Sequence, residues 1–180
     1  MTITSNQQAP DFSLEGVDGS VHTLASYEDA DALVIVQWCN HCPYVIGWEE
    51  RLNDVQRDYA DRGVRIVAVN SNDVERQPAD SFELMVERAQ ERGFTFDYLY
   101  DREQDVARAL GSERTPEVFV FDRDRRLVYH GAIDDNRDET AVSQRYLREA
   151  LDAVLAGDAP NVSETPPVGC SVKWLPDAES

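Results

Sequence analysis

Two cysteines, Cys39 and Cys42, stand two residues apart in Trp38-Cys39-Asn40-His41-Cys42-Pro43. The stretch follows the apolar run Ala32-Leu33-Val34-Ile35-Val36 and precedes an amphipathic segment that begins near Pro43, so it reads as a dithiol at a strand-to-helix junction. A pair with this spacing can close a small disulfide, and the free N–H groups and positive dipole of a helix start favour a thiolate. His41, when protonated, should lower the pKa of Cys39 further, which makes it a pKa-tuning candidate. The chemistry implied is thiol–disulfide exchange.

A third cysteine lies in the tail sequence Gly169-Cys170-Ser171-Val172-Lys173-Trp174. Two readings of Cys170 stand side by side: a tail cysteine without a partner, or a second resolving thiol that folds back onto the dithiol. Lys173, the only lysine of the chain, is close enough in sequence to assist a thiolate or a bound anion. Cys39, His41, Cys42 and Cys170 also form a possible ligand set for a soft metal. Structural zinc sites usually draw on two spaced pairs, and a histidine between the cysteines needs an awkward local geometry. Soft-metal binding is therefore an alternative reading, and no metal or cofactor is expected.

The elements that must position these residues follow from periodicity. Ala32 to Gln37 lacks alternation, as a central strand covered on both faces should. After the dithiol, Val45, Trp48, Leu52, Val55 and Tyr59 recur at steps of three and four, which predicts a helix ending near Gly63. Val64 to Val69 predicts another buried strand, and Ser71 to Asp80 a loop. A second helix carries Phe82, Met85, Val86 and Ala89 and stops at Gly93. Phe96, Tyr98 and Tyr100 alternate, and a short helix from about Gln104 to Leu110 follows. Thr115-Pro116 stands at the entry of the strand Glu117 to Asp122, and a proline there can be cis. Leu127 to Gly131 returns as a hairpin, with His130 read as a structural residue. A last helix carries Val142, Tyr146, Leu147, Ala150, Leu151, Val154 and Leu155. Upstream, Ala9 to Leu14 and Val21 to Leu24 flank an Asp-Gly turn and predict a small hairpin, with His22 as a surface strand residue.

Composition narrows the class. A chain of 180 residues with 42% hydrophobic residues can bury one good core. The expected division is a flexible N-terminus at 1–8, one domain at 9–157, and a C-terminal tail at 158–180 that carries Cys170. The 35 acidic residues outnumber the 17 basic ones and give a net charge of -18. Such a surface repels nucleic acid and anionic membrane, so neither is an expected partner; it also suits a high-salt habitat. Residues 1–8 lack the basic start and apolar core of a signal peptide, and no apolar run approaches bilayer length. The expected setting is cytoplasmic, where three cysteines are better read as redox-active or metal-binding than as a structural framework.

The order of strands and helices predicts an α/β fold with a central mixed sheet flanked by helices. Cys39-x-x-Cys42 after a strand, Thr115-Pro116 before a strand, and the closing hairpin and helix together resemble the thioredoxin fold. Ala9-Pro10-Asp11-Phe12-Ser13-Leu14 resembles the start of the alkyl hydroperoxide reductase and thiol-specific antioxidant (redoxin) branch of that fold. The Cys39 to Val45 stretch, Tyr129 to Asp135 and Gly169 to Trp174 are similar to a peroxiredoxin-like group within it. The resemblance implies a thioredoxin-like fold with an N-terminal β-hairpin extension and a C-terminal tail. It implies Cys39 as the attacking thiolate and Cys42 as the resolving thiol. It implies a cis Pro116 beside the dithiol, with Thr115 and Trp38 helping to dock an extended substrate by strand addition.

The activity so implied is thiol–disulfide oxidoreduction through a mixed disulfide, in cell redox homeostasis. Its partners would be a protein or small-molecule disulfide or dithiol substrate and an electron donor or acceptor. A histidine within the pair resembles strongly oxidising thioredoxin-fold proteins, which implies a more oxidising dithiol than thioredoxin, whereas a reducing cytoplasm opposes net oxidation, so no direction is assigned. A peroxiredoxin-like thiol peroxidase is the alternative. The peroxiredoxin Pro-x-x-x-Thr-x-x-Cys pattern fails in both registers, because it meets Ile35 and Cys39 counted back from Cys42, and Ala32 and Val36 counted back from Cys39.

Overall fold

In a computed structural model, residues 3–177 are described. The strands are β1 (Ser13–Gly16), β2 (Val21–Thr23), β3 (Ala32–Trp38), β4 (Val64–Asn70), β5 (Asp97–Tyr100), β6 (Arg114–Thr115), β7 (Glu117–Phe121), β8 (Leu127–Gly131) and β9 (Cys170–Ser171). The helices are α1 (Pro43–Tyr59), α2 (Phe82–Arg92), α3 (Asp105–Leu110) and α4 (Tyr146–Leu155). Seven strands form one sheet in the order β2-β1-β5-β4-β3-β7-β8, while β6 and β9 pair apart from it. β3 runs parallel to β4 and antiparallel to β7, and β4 runs parallel to β5. This is the mixed sheet flanked by helices of the thioredoxin-like fold.

β3 is central because both of its faces are covered. Ala32, Val34, Val36 and Trp38 pack with Trp48, Leu52 and Val55 of α1, Met85 of α2 and Leu147 and Leu151 of α4. Leu33 and Ile35 face the opposite core, with Phe12, Tyr27, Val106 and Leu110. Each such aliphatic side chain contributes roughly 1.5–3 kcal/mol by burial, which fixes where β3 ends and the dithiol loop begins. α1 is tied to β4 by Gln56, whose Oε1 accepts from Ile66 N at 2.6 Å and whose Nε2 donates to Val64 O at 2.9 Å. Among the described residues no helix is long and apolar enough to cross a membrane.

Two expectations are corrected, and the course of the tail is added. Residues 3–8, expected to be flexible, are bonded along the domain: Ile3 N donates to Leu110 O, Asn6 N to Leu127 O, and Leu127 N to Gln7 O. Met1 and Thr2 lie outside the described residues. Val142 is outside α4, because the chain makes a separate 3-10 turn at Glu139–Ala141 before the helix. The tail beyond 157 is part of the packed structure, since Val172 is buried and β9 forms there; Ala178, Glu179 and Ser180 of the expected tail lie outside the described residues.

Candidate active site

β3 delivers Trp38 and Cys39, and α1 starts immediately after Cys42, with Cys42 as its N-cap residue and Pro43 in its first turn. Proline suits that position because its missing N–H would have no helical partner there. Cys39 is the free cysteine and is buried, and the backbone N–H groups of His41 and Cys42 are directed at its sulfur. Its Sγ lies 3.6 Å from the Thr115 hydroxyl. The Sγ of Cys42 lies 3.5 Å from the Thr115 carbonyl oxygen. Both sulfurs of the motif thus converge on one residue, and the peptide bond from Thr115 to Pro116 is cis.

Cys42 is joined to Cys170 in a disulfide that spans 128 positions, with a Cα–Cα separation of 6.3 Å. Of the two readings of Cys170, the structure adopts the one in which the tail folds back onto the dithiol. β9 lies antiparallel to β6, with Thr115 opposite Cys170 and Arg114 opposite Ser171. Val172 N extends this pairing by donating to Glu113 O at 3.0 Å. Glu117 holds the receiving segment: its Oε2 accepts from Glu113 N at 2.6 Å and Arg114 N at 2.9 Å, and its Oε1 meets His130 Nε2 at 2.7 Å. His130, expected to be a structural residue, is buried against Glu117, and its Nδ1 lies 3.8 Å from Glu164 Oε1.

Further contacts fasten the tail on either side of the disulfide. Lys173 N donates to Asn72 Oδ1, Asp73 N and Gln104 Nε2 donate to Lys173 O, and Leu175 N donates to Gln104 Oε1. Upstream, Thr165 N donates to His130 O, and Thr165 Oγ1 accepts from Ala132 N and bonds the Tyr129 hydroxyl. Gly131 is required beneath this clasp. It adopts φ +149°, and a Cβ there would collide with the Thr165 side chain and backbone.

Asp80 is the largest omission from the sequence reading. Its buried carboxylate accepts from Asn40 N at 2.7 Å and Asn72 Nδ2 at 2.8 Å, and its Oδ2 lies 2.6 Å from His41 Nδ1. Asn40 is fixed further by the Tyr98 hydroxyl, which donates to its Oδ1 at 2.8 Å. The dithiol loop is therefore rigidly framed by a residue forty positions away that reads from sequence as part of an ordinary polar loop. This alters the electrostatics. Burial first, and the Asp80 carboxylate second, push the Cys39 thiol up to about 11, while the Thr115 hydroxyl and the two N–H groups act the other way. The expected lowering by the helix start and His41 is outweighed, because desolvation and a nearby negative charge both disfavour a thiolate.

Two other candidates stand elsewhere than expected. Trp38 is fully buried with its ring against Phe96, so it supports the loop from beneath and does not line a docking surface. Lys173 directs its Nζ to Ser171 O at 2.5 Å and to Ser171 Oγ, and no bond links it to a thiol. The soft-metal set is also divided. Cys42 and Cys170 are bonded to each other, and the group brought together is Cys39, His41 and Asp80, with donor atoms within 4.8 Å of one another. The Asp80 oxygens already accept hydrogen bonds from Asn40 N and Asn72 Nδ2, so the carboxylate holds the loop.

Comparison with known proteins agrees with this architecture. The model of the AhpC/TSA family matches residues 5–130. The chain is 30% identical over 122 residues to a thiol-disulfide oxidoreductase ResA of Geobacillus thermodenitrificans (strain NG80-2), a match covering 66% of this chain and 64% of that protein. The chain thus spans a little under two thirds of the length of that relative. It is similar to the crystal structure of a hypothetical protein from Sinorhizobium meliloti 1021, at 39% identity and a TM-score of 0.91, covering 97% of both chains. A conserved protein from Geobacillus kaustophilus is similar at 42% identity and a TM-score of 0.92, covering 97% of this chain and 94% of that one.

Proposed function

The chain belongs to the AhpC/TSA family, and from that premise we propose that it is a thiol–disulfide oxidoreductase that works through Cys39 and Cys42. The observation that carries this reading is the convergence of both sulfurs on Thr115, whose backbone is paired with a cysteine-bearing strand. In the proposed reaction the Cys39 thiolate attacks one sulfur of a substrate disulfide and expels the other as a thiolate, which leaves a mixed disulfide at Cys39. Cys42 then attacks Cys39 Sγ and releases the second substrate thiol, so the substrate gains two electrons and the pair ends as a disulfide. The reverse sequence oxidises a dithiol. Thr115 is well placed to serve both steps: its hydroxyl can donate to the developing thiolate of Cys39, and its main chain can pair with an extended substrate. The name of the ResA relative supports the same activity.

The proposal extends to dithiol or disulfide substrates, whether proteins or small molecules, to a thiol-based electron donor or acceptor, and to a cytoplasmic setting. The test is trapping. A Cys42→Ser protein should accumulate mixed disulfides at Cys39 when offered a disulfide substrate, and wild-type protein should turn over a model protein disulfide. Failure of both would sink the reading. Rapid consumption of peroxide by the wild type, with no dithiol exchange, would replace it with the peroxidase alternative.

A further inference from the structure

The strand paired with β6 belongs to the chain itself, and its cysteine is bonded to the dithiol. We propose that Gly169–Lys173 is a tethered occupant of the substrate strand's place, that Cys170 is a third redox cysteine which passes a disulfide to and from the Cys39–Cys42 pair, and that the vacated place takes an extended polypeptide carrying Gly-Cys. This deepens the oxidoreductase reading and rests on it.

The transfer is internal and balanced. The Cys39 thiolate attacks Cys42 Sγ, a bond between Cys39 and Cys42 forms, the bond between Cys42 and Cys170 breaks, and Cys170 leaves as a thiolate that takes up the proton Cys39 gave. One disulfide and one thiol are present before and after, so no outside oxidant or reductant is needed. In the closed arrangement both motif cysteines are buried, and β9 occupies the antiparallel edge of β6. Moving the disulfide onto the pair removes the covalent hold on that strand and leaves it on the edge by hydrogen bonds alone, which an incoming strand can exchange for its own.

The occupant also defines what can replace it. At Gly169 a Cβ would collide with the Thr115 carbonyl oxygen and stand 2.6 Å from its carbon, both main-chain atoms beside the dithiol. The residue preceding the reacting cysteine must therefore lack a side chain. On the following side the demands are those of an extended strand, because Val172 N continues the pairing at Glu113 O and Val172 is buried. Upstream of Gly169, Pro166 and Val168 line a cavity of about 360 Å³ with Tyr44, Trp48 and the more polar Asp135 and Arg137.

Two experiments test this on the full chain. After equilibration in a thiol–disulfide buffer, mass spectrometry should find both the Cys42–Cys170 and Cys39–Cys42 pairs in the wild type. Gly169→Val should shift the population to Cys39–Cys42, and Gly169→Ala should shift it in the same direction. An unchanged pair ratio in Gly169→Val would overturn the proposal. Second, reduced Cys170→Ser protein is offered the peptide of residues 168–175 with its cysteine activated as an aromatic mixed disulfide, or the same peptide with valine in place of glycine. Each rate is normalised to that with a free small dithiol. The glycine peptide should react about tenfold faster or more, corresponding to one decade in rate; rates equal within about twofold would overturn the proposal. Wild-type turnover of a small-molecule disulfide reports the oxidoreductase reading separately. If it proceeds while the peptides react alike, only the proposal on the tail fails.

Discussion

The two possible disulfides of Cys42 close very different loops, and that difference is measurable as stability. In the chain-entropy description, a cross-link lowers the entropy of the unfolded chain by an amount that grows with the logarithm of the loop it closes. The bond to Cys170 spans 128 positions, for which the expression gives about 5 kcal/mol at room temperature. The bond to Cys39 would close a four-residue loop and give about 2 kcal/mol. Cys39→Ser restricts the protein to the long loop and Cys170→Ser to the short one. Each variant would be unfolded in urea in its oxidised and reduced forms, and the gain on oxidation read from the shift in midpoint at a common slope. Cys39→Ser should gain about 3 kcal/mol more than Cys170→Ser. Equal gains, or a larger gain for Cys170→Ser, would refute the reasoning, because the tail would then not be held to Cys42 in the folded protein.

Further expectations concern the charges around the site. Asp80→Asn removes a negative charge within 4.8 Å of Cys39 Sγ. At an effective dielectric constant of about 20 the Coulomb energy is about 3 kcal/mol, and sharing of the carboxylate with His41 reduces the expected fall in the Cys39 pKa to about one unit. The Cβ chemical shift of Cys39 followed against pH in labelled, oxidised protein checks this; an unchanged or raised midpoint contradicts it. In wild type the Cys39 pKa stands raised from 9.0 to about 11. The folded state therefore holds a proton that the unfolded chain gives up, and the stability it contributes is present below pH 9 and lost as pH rises toward 11. Arg51→Ala should destabilise the protein by about 3–5 kcal/mol in urea unfolding, because Arg51 Nη1 donates at 2.6 Å to buried Asp134, which would be left charged and unpaired. A loss under about 1 kcal/mol would show that Asp134 is satisfied by Trp48 Nε1 and Asn136 N without the arginine.

Much of the frame was legible because burial leaves a periodic trace. The uninterrupted apolar run of β3, the three-and-four spacing of α1 and the glycines at 63, 93 and 111 that adopt left-handed backbone all wrote their positions into the sequence. The Cys39–Cys42 spacing and the Thr115-Pro116 pair were legible for the same reason, since each is a local pattern. What escaped depends on contacts between distant residues that need no local pattern. Asp80 is one polar residue in a polar loop, and only the fold brings it to Asn40 and His41. β9 is two residues long and pairs across more than fifty positions. The expectation for the Cys39 pKa erred in sign because helix dipole and histidine were visible in the sequence, whereas complete burial and the Asp80 carboxylate were not.

The Thr165 clasp gives the tail a second attachment that thiol chemistry does not touch. Its three bonds to Tyr129, His130 and Ala132 lie five residues before Cys170. If they persist when the disulfide moves, the freed Cys170 thiol remains on a leash of about 17 Å, which confines it at an effective concentration on the order of 0.1 M. A visiting polypeptide at micromolar levels competes against that local excess and meets it as a barrier to capture. The leash also shortens the lifetime of every open complex, since the tail stands ready to displace whatever strand has paired with β6. Selectivity at such a site is exercised by competition, with the chain's own sequence as the reference that each partner must outbid.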